Sequence, residues 1–346
     1  MKIKFSIPYN GDLALMAWAF KTGQAAEVYF AGAGRNDHSS PYQNQNKFQE
    51  GEIFELMALC RKHNVKTNLL MNKGIAFTDD LKSIFHYIDS LNKTEGLTSI
   101  TVGDPAIVPF LKKAFPRIRL QTSVFMNIDS LQKIKEALKM GVTDFCLDVS
   151  TNRKGEELEK IRDYKNKLKN FSVKLLANHG CYMNCFYSMR HSSWPLLKEM
   201  LEQRPAAQRP PQKRYILGNL IDVKNCVYKK EDITDEIKRP FIRPEDLAYY
   251  EKKELADVIK IAYRMDRTPV LRKKLKAYFE RSFDGDLFEL TPPNKGAIPF
   301  VCDNKSIPDT FAQKLLSCDM KCEGCDYCRL VAVKALKKKN YGRHLA

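Results

Sequence analysis

Apolar residues along the chain recur at two spacings, and stretches with the two spacings alternate. Short runs rich in β-branched and aromatic residues are followed by longer stretches with an apolar residue every three or four positions. This alternation predicts parallel strands joined by helices. The predicted helices include Ile53–Asn64, Asp129–Met140 and Glu156–Leu168, and Gly141 stands where a C-cap would end the second. The predicted strands are Ile3–Ile7, Glu27–Phe30, Lys66–Met71, Ser99–Val102, Arg119–Thr122, Asp144–Leu147, Ser172–Ala177 and Asp257–Ile261.

Eight such units predict an α/β fold, a closed (β/α)8 barrel of the TIM type, with an open doubly wound sheet as the alternative. We assign residues 1–283 to the barrel. The regular pattern breaks at about 192–245, which contains the basic, proline-rich run Arg204–Arg214, and this break predicts an inserted basic lobe before the last strand. It breaks again over 284–346, which we interpret as a cysteine-rich, basic C-terminal extension.

The composition indicates a polyanionic partner. Lysine and arginine total 58 against 41 acidic residues, a formal net charge of +17, which favours RNA, although charge alone also fits a solubility role. No apolar run reaches the roughly 18 residues of a membrane span, so no membrane partner is expected. Met1–Ile7 is too short for the apolar core of a secretory signal, and we expect a cytoplasmic protein. The oligomeric state is left open.

The ten cysteines fall into types. Disulfides are rare in the cytoplasm, so metal binding is the usual explanation for so many thiols. Cys60 lies in a helical pattern and Cys146 in a strand, and both are interpreted as small buried residues. The other eight lie in loop-like sequence. Four thiolates hold one [4Fe–4S] cluster or one structural zinc, so eight predict two sites.

The compact set lies near the chain end. Its spacing lets one loop wrap a metal, and Gly324 permits a tight turn. The spacing does not choose between a second cluster and zinc. Its C-x3-C-x2-C part also matches radical SAM enzymes, but those carry it after an early barrel strand, which argues against that chemistry here. The predicted metal ligands of this C-terminal quartet are Cys318, Cys322, Cys325 and Cys328.

The dispersed set can meet only through the fold. Cys181 and Cys185 follow the seventh strand, Cys226 lies in the insertion, and Cys302 follows an apolar run near the start of the extension. These four are the predicted ligands of the first cluster. Cys302 is the weakest member, because a plain buried strand cysteine is the alternative.

Several segments resemble the collagenase-like U32 peptidase family. The run Ala177–Cys185, with Arg190 and His191 shortly after, is similar to that family's cysteine signature. Phe241–Leu247 resembles its Arg-Pro-Glu-Asp segment, and Asp257–Arg264 resembles its Phe-Lys-Ile-x-x-Arg segment. The run Gln121-Thr-Ser123 is similar to its fifth-strand motif. Together these segments span most of Met1–Leu287.

The resemblance implies a barrel, a [4Fe–4S] cluster on four cysteines, and functions far from proteolysis. Its members take part in oxygen-independent hydroxylation of tRNA uridine, rRNA cytidine or a quinone precursor, with prephenate implicated as an oxygen source. Two departures put the exact substrate in doubt. The sixth strand ends in Asp148 rather than a glutamate–serine pair, and the C-terminal quartet is additional.

Four side chains are predicted to anchor an acidic co-substrate such as prephenate in the barrel mouth, because arginine binds carboxylates with two parallel hydrogen bonds. They are Arg153, Arg190, His191 and Arg264. The favoured function is hydroxylation of a base in tRNA or rRNA. The alternatives are hydroxylation of a small aromatic and a non-catalytic, metal-stabilised RNA-binding protein. A peptidase is the least favoured, because neither a His-Glu-x-x-His motif nor a serine elbow is found.

Overall fold

A computed structural model describes residues 2–39, 48–72, 81–187, 233–292 and 299–339. Eight parallel strands pair in chain order and close, since β1 also pairs with β8. The predicted closed barrel is therefore confirmed, and the open sheet is wrong. The strands are β1 Lys4–Pro8, β2 Ala25–Phe30, β3 Lys66–Met71, β4 Ser99–Val102, β5 Arg119–Thr122, β6 Asp144–Cys146, β7 Ser172–Leu176 and β8 Val258–Lys260.

Amphipathic helices cover the outside of the barrel. One of them, Leu131–Lys139, buries Ile134 and Ala137, and Gly141 follows it with φ at 93°, the conformation expected beyond a helix C-cap. The helices before the extension are α1 Leu13–Lys21, α2 Glu50–Lys62, α3 Leu81–Glu95, α4 Val108–Ala114, α5 Leu131–Lys139, α6 Gly155–Leu168, α7 Thr234–Ile237, α8 Leu247–Lys252 and α9 Thr268–Glu280. No helix in the described ranges is long and apolar enough to cross a membrane.

The barrel interior is polar, whereas such interiors are usually filled with branched apolar side chains. Lys174 on β7 donates to Glu27 on β2 and to Gln121 on β5, both at 2.6 Å. These strands are not neighbours, so the bonds cross the lumen. Gln121 also donates to Thr101 at 3.0 Å, and Ser6 donates to Glu27 at 2.6 Å. The apolar residues of the same strands face outwards and form the main core with the helices.

The extension packs around a second apolar cluster that includes Leu287, Cys302, Phe311 and Val331. It contains α10 Leu287–Leu290, β9 Phe300–Cys302, α11 Phe311–Leu316, α12 Tyr327–Ala335 and β10 Leu336–Lys338, with β9 and β10 antiparallel.

The extension docks where β6 ends. A Cβ atom on Gly155 would lie 2.3 Å from the backbone oxygen of Leu316, so only glycine allows this approach. The final part of the predicted inserted lobe, 233–245, is largely buried there, with Ile237, Arg239 and Arg243 almost inaccessible. The run Arg204–Arg214 lies outside the described residues. The extension is thus held at the carboxyl ends of the barrel strands.

Candidate functional site

The loop after β7 carries the first pair of cysteines. Cys181 and Cys185 are buried, and the backbone N–H of Cys181 donates to Nδ1 of His179 at 3.1 Å. That bond turns the imidazole towards the backbone of the loop. None of the nine described cysteines forms a disulfide.

The C-terminal quartet surrounds one cavity of about 390 Å³. Cys318 follows α11, Cys322 and Cys325 bound a 3₁₀ turn, and Cys328 lies in the first turn of α12. Cys322 and Cys325 are exposed, and the other two are half-buried. As arranged, no three Cys, His, Asp or Glu side chains in the described ranges converge on a point that could hold a metal ion. The quartet therefore supplies four thiols around one space.

The two cysteine loops touch each other. The side-chain amide of Asn184, between Cys181 and Cys185, donates to the sulfur of Met320, between Cys318 and Cys322, at 3.7 Å. Asn184 and Met320 are 136 residues apart in sequence, so the contact exists only through docking of the extension. It makes one edge of the barrel mouth rich in thiols.

Of the other two predicted ligands of the first cluster, the structure describes Cys302 but not Cys226. Cys302 is fully buried in the core of the extension, where its N–H donates to Asp286 at 2.8 Å, and burial raises the pKa of its thiol to about 12. Arg239 interacts electrostatically with both Cys302 and Tyr182 of the Cys181 loop. Cys226 lies outside the described residues.

The two described anchor candidates follow different strands of the barrel. Arg153 ends a 3₁₀ turn after β6, and its Nη2 donates to the carbonyl of Ile237 at 2.6 Å. Burial lowers its pKa to about 10, while electrostatic interaction with Cys328 and Cys318 acts in the opposite direction. Arg153 therefore lies close enough to Cys318 and Cys328 of the C-terminal quartet to interact with them electrostatically.

Arg264 follows β8, and its Nη2 donates to the hydroxyl of Ser39 at 2.5 Å. No contact between described residues joins it to Arg153. Arg190 and His191 lie outside the described residues. Of the four predicted anchors, the structure thus describes two, Arg153 and Arg264, and these two are not in contact.

Sequence reasoning missed the charged residues inside the barrel: Glu27, Lys174 and Lys260. Each occupies an inward position in a strand whose neighbouring positions are apolar, as Lys260 does between Ile259 and Ile261. A charged residue alternating with branched apolar ones in a parallel strand was the available signal.

Comparison with known proteins decides the family. A sequence profile of peptidase family U32 matches residues 12–281. The chain belongs to peptidase family U32. It is 28% identical over 326 residues to a Methanocaldococcus jannaschii protein named "Uncharacterized protease MJ1657", covering 91% of this chain and 90% of that one. The solved structure of the U32 peptidase Mk0906 has the same fold, with a TM-score of 0.50, 12% identity, and coverage of 75% of this chain and 91% of that one.

The U32-like Arg-Pro-Glu-Asp segment forms a buried clamp. Arg243 donates to Asp246 at 2.7 Å and to the carbonyl of Pro308 in the extension at 3.0 Å. Its guanidinium carbon lies 5.1 Å from the centre of the Phe311 ring. In this U32 protein the segment joins the barrel to the extension rather than facing the mouth.

Proposed function

We propose that this U32 protein is an iron–sulfur enzyme that hydroxylates a base in tRNA or rRNA without molecular oxygen. The observation that carries the proposal is the contact between the two cysteine loops at the barrel mouth. Active sites of such barrels lie at this end. A thiol-rich edge there supports a redox centre beside the substrate rather than a remote structural metal.

The donor set suits iron–sulfur chemistry, because thiolates hold such clusters. Cys181 and Cys185 would hold the first cluster, with Cys226 and Cys302 as the proposed further ligands, and the C-terminal quartet would hold a second cluster or zinc. A bound cluster would supply electron transfer or Lewis-acid activation of an oxygen donor. The chain's own contribution is to hold the two loops side by side through Asn184 and Met320.

Cationic side chains beside the thiols support an RNA substrate. Lys238, Lys314, Lys321 and Arg329 line the same cavity as the quartet. The extension continues into the basic run Lys337-Lys-Lys339. Phosphate contacts from such residues would position an RNA strand at the mouth. Arg153 and Arg264, with Arg190 and His191, remain the proposed anchors of an acidic co-substrate such as prephenate.

A thiol peptidase is less well supported. Such an enzyme needs a base hydrogen-bonded to its nucleophile. The nearest imidazole to Cys181 in sequence, His179, instead accepts the backbone N–H of that residue through Nδ1. This contact favours a structural role for His179 in shaping the loop.

Protein purified without oxygen is expected to be brown and to contain iron and sulfide. Each cluster would add about four iron atoms per chain. Cys181→Ser should lose the first cluster. The double variant Cys322→Ser/Cys325→Ser should lose the metal of the quartet without disturbing packing, because both side chains are exposed. Iron, zinc and sulfide analysis per chain measures both losses.

Cys60→Ala is the matched control for metal content, since Cys60 is fully buried in α2 and distant in sequence from both loops. Its metal content should equal that of the wild type. Zinc as the sole metal in every preparation would overturn the iron–sulfur proposal, and an unchanged metal count in the double variant would exclude the second site.

Deletion of the gene should remove one modified nucleoside from tRNA or rRNA, which mass spectrometry of digested RNA detects. Binding of purified protein to single-stranded RNA should weaken with salt, with a log–log slope of about −0.7 per phosphate contacted. Salt-dependent binding with an unchanged nucleoside profile would favour a non-catalytic RNA-binding protein. An unchanged nucleoside profile together with no salt-dependent RNA binding would favour hydroxylation of a small aromatic.

A further inference from the structure

Two lysines point into the barrel, and their surroundings differ. Lys174 is bound on both sides, by the carboxylate of Glu27 and the amide oxygen of Gln121. Lys260 lies nearer the mouth, because Lys174 is level with Val258 and Lys260 comes two residues later on β8. Within the described part of the chain, the Lys260 ammonium has neither a carboxylate nor a hydrogen-bond acceptor at bonding distance. Its contact is the ring of Tyr29, with Nζ 4.2 Å from the ring centre.

Arg264 lies on the same side of the mouth. Arg264 interacts electrostatically with both Lys260 and Tyr29, and the Tyr29 hydroxyl donates at 2.6 Å to the carbonyl of Ile261, which lies between the two cations in sequence. Arg264 is only 2% exposed, and its Nη1 is buried without a hydrogen-bond partner among the described residues. Its Nη2 reaches Ser39, which in turn donates to Asp37. A buried guanidinium nitrogen without an acceptor is costly, and a ligand oxygen would remove that cost.

We propose that this side of the mouth binds a small 2-oxo acid, with its carboxylate on Arg264 and its ketone carbon bonded to Lys260 as an imine. An arginine with a free N–H suits a carboxylate oxygen, and an unpaired amine is a nucleophile towards a carbonyl carbon. The lysine nitrogen bonds to the ketone carbon. The ketone oxygen then leaves as water with the two protons of the neutral amine, so the step needs no oxidant or reductant.

The electrostatics of Lys260 agree with this geometry. Burial lowers the pKa of Lys260, and the neighbouring positive charges of Lys174 and Arg264 act in the same direction. Cys146 on β6 and Glu27 on β2 oppose the shift but do not cancel it. A lysine with a lowered pKa has more neutral amine at pH 7 than an exposed one, whose ordinary pKa is about 10.4. The uncharged amine is the form that attacks a carbonyl.

The test is reductive trapping with pyruvate as the probe. Full-length protein is incubated with pyruvate and sodium cyanoborohydride at pH 7, which delivers hydride to the imine carbon and fixes the adduct as a secondary amine. Peptide mass spectrometry then locates the adducts over time. Lys260 should be modified first, ahead of exposed Lys93 and paired Lys174 in the same molecules. Modification that follows surface exposure and spares Lys260 would overturn the proposal.

Two variants separate the roles. Lys260→Arg keeps the positive charge but should abolish the early adduct. Arg264→Gln should slow trapping of pyruvate at Lys260 about tenfold, equivalent to about 1.4 kcal/mol, because the carboxylate loses a charge-assisted hydrogen bond. Trapping of acetone, which has no carboxylate, should be unchanged in Arg264→Gln. Equal slowing for both probes would contradict carboxylate binding by Arg264.

This inference rests on the proposed function only in placing a co-substrate in the same barrel mouth. Trapping at Lys260 requires neither iron nor RNA. If Lys260 forms the adduct but deletion of the gene leaves the RNA nucleosides unchanged, the RNA substrate is refuted and the 2-oxo acid site stands. If deletion removes a nucleoside but Lys260 forms no adduct, the 2-oxo acid site is refuted and the RNA substrate stands.

Discussion

Replacing Lys174 with methionine should destabilise the folded protein by about 3–5 kcal/mol, the usual cost of removing one partner from a buried ion pair. The Lys174 and Glu27 side chains are 4% and 10% exposed, and their charged atoms are 2.6 Å apart. Without the lysine, Glu27 keeps one hydrogen bond among the described residues, from the Ser6 hydroxyl, and the more distant charge of Lys260. The free energy of unfolding in urea measures the loss.

Two comparisons show whether the cost comes from the stranded carboxylate. The double variant Lys174→Met/Glu27→Leu should recover much of the lost stability, because apolar replacement of a whole buried pair is often neutral. Lys93→Met is the surface control. Lys93 pairs with Asp89 on α3 but is 74% exposed, so we expect a change of about 0–0.5 kcal/mol. A double variant as unstable as the single would contradict the explanation.

The same pair predicts a pH dependence. Burial alone would raise the pKa of Glu27, but the charge and hydrogen bond of Lys174 outweigh it and leave that pKa lowered. A carboxyl group with a lowered folded pKa stabilises the fold above its unfolded pKa, about 4.3, and loses this contribution as pH falls through the folded value. The stability gap between wild type and Lys174→Met should therefore be full at pH 7 and shrink below about pH 4.

The barrel was predictable because every strand carries a local signal. Each of the eight combines apolar residues with a following helix, and no strand end in the structure lies more than two residues from its predicted position. The alternation of Ile259, Lys260 and Ile261 contains two separate signals. Its apolar positions predict a strand, and its charge predicts which face turns into the lumen.

The arrangement of the site could not be predicted in the same way. Contact between Asn184 and Met320 depends on how α11 docks after β6, and that docking depends on the close approach of Gly155 to Leu316. No periodicity in the sequence encodes such a distance. Spacing could group Cys318 with its three neighbours, because one loop holds them all, but it could not say which distant thiols share a site.

Replacing Arg243 with methionine should detach the extension from the barrel and destabilise the protein by about 3–5 kcal/mol. Arg243 is 1% exposed at its side chain and Asp246 is 3% exposed, so the carboxylate would remain buried without its partner. Carbonyl oxygens of Asn304, Ile307 and Pro308 would lose the same donor. Urea unfolding and the rate of limited proteolysis within 299–339 measure the two effects.

The controls separate charge from shape. Arg243→Lys keeps the charge, but a single ammonium cannot match the planar fork that reaches Asp246 and three carbonyls, so its loss should be intermediate. Arg272→Met removes an exposed arginine that packs 5.0 Å from Trp18 and should cost about 0.5–1 kcal/mol without faster cleavage of the extension. If Arg243→Met destabilised the protein while the extension kept its protease resistance, the clamp would be internal to the barrel.

If the extension is released, the C-terminal quartet should also separate from the Cys181 loop, because only docking of the extension brings them together. Arg243 would then hold the thiol-rich edge of the barrel mouth together without contacting its cysteines.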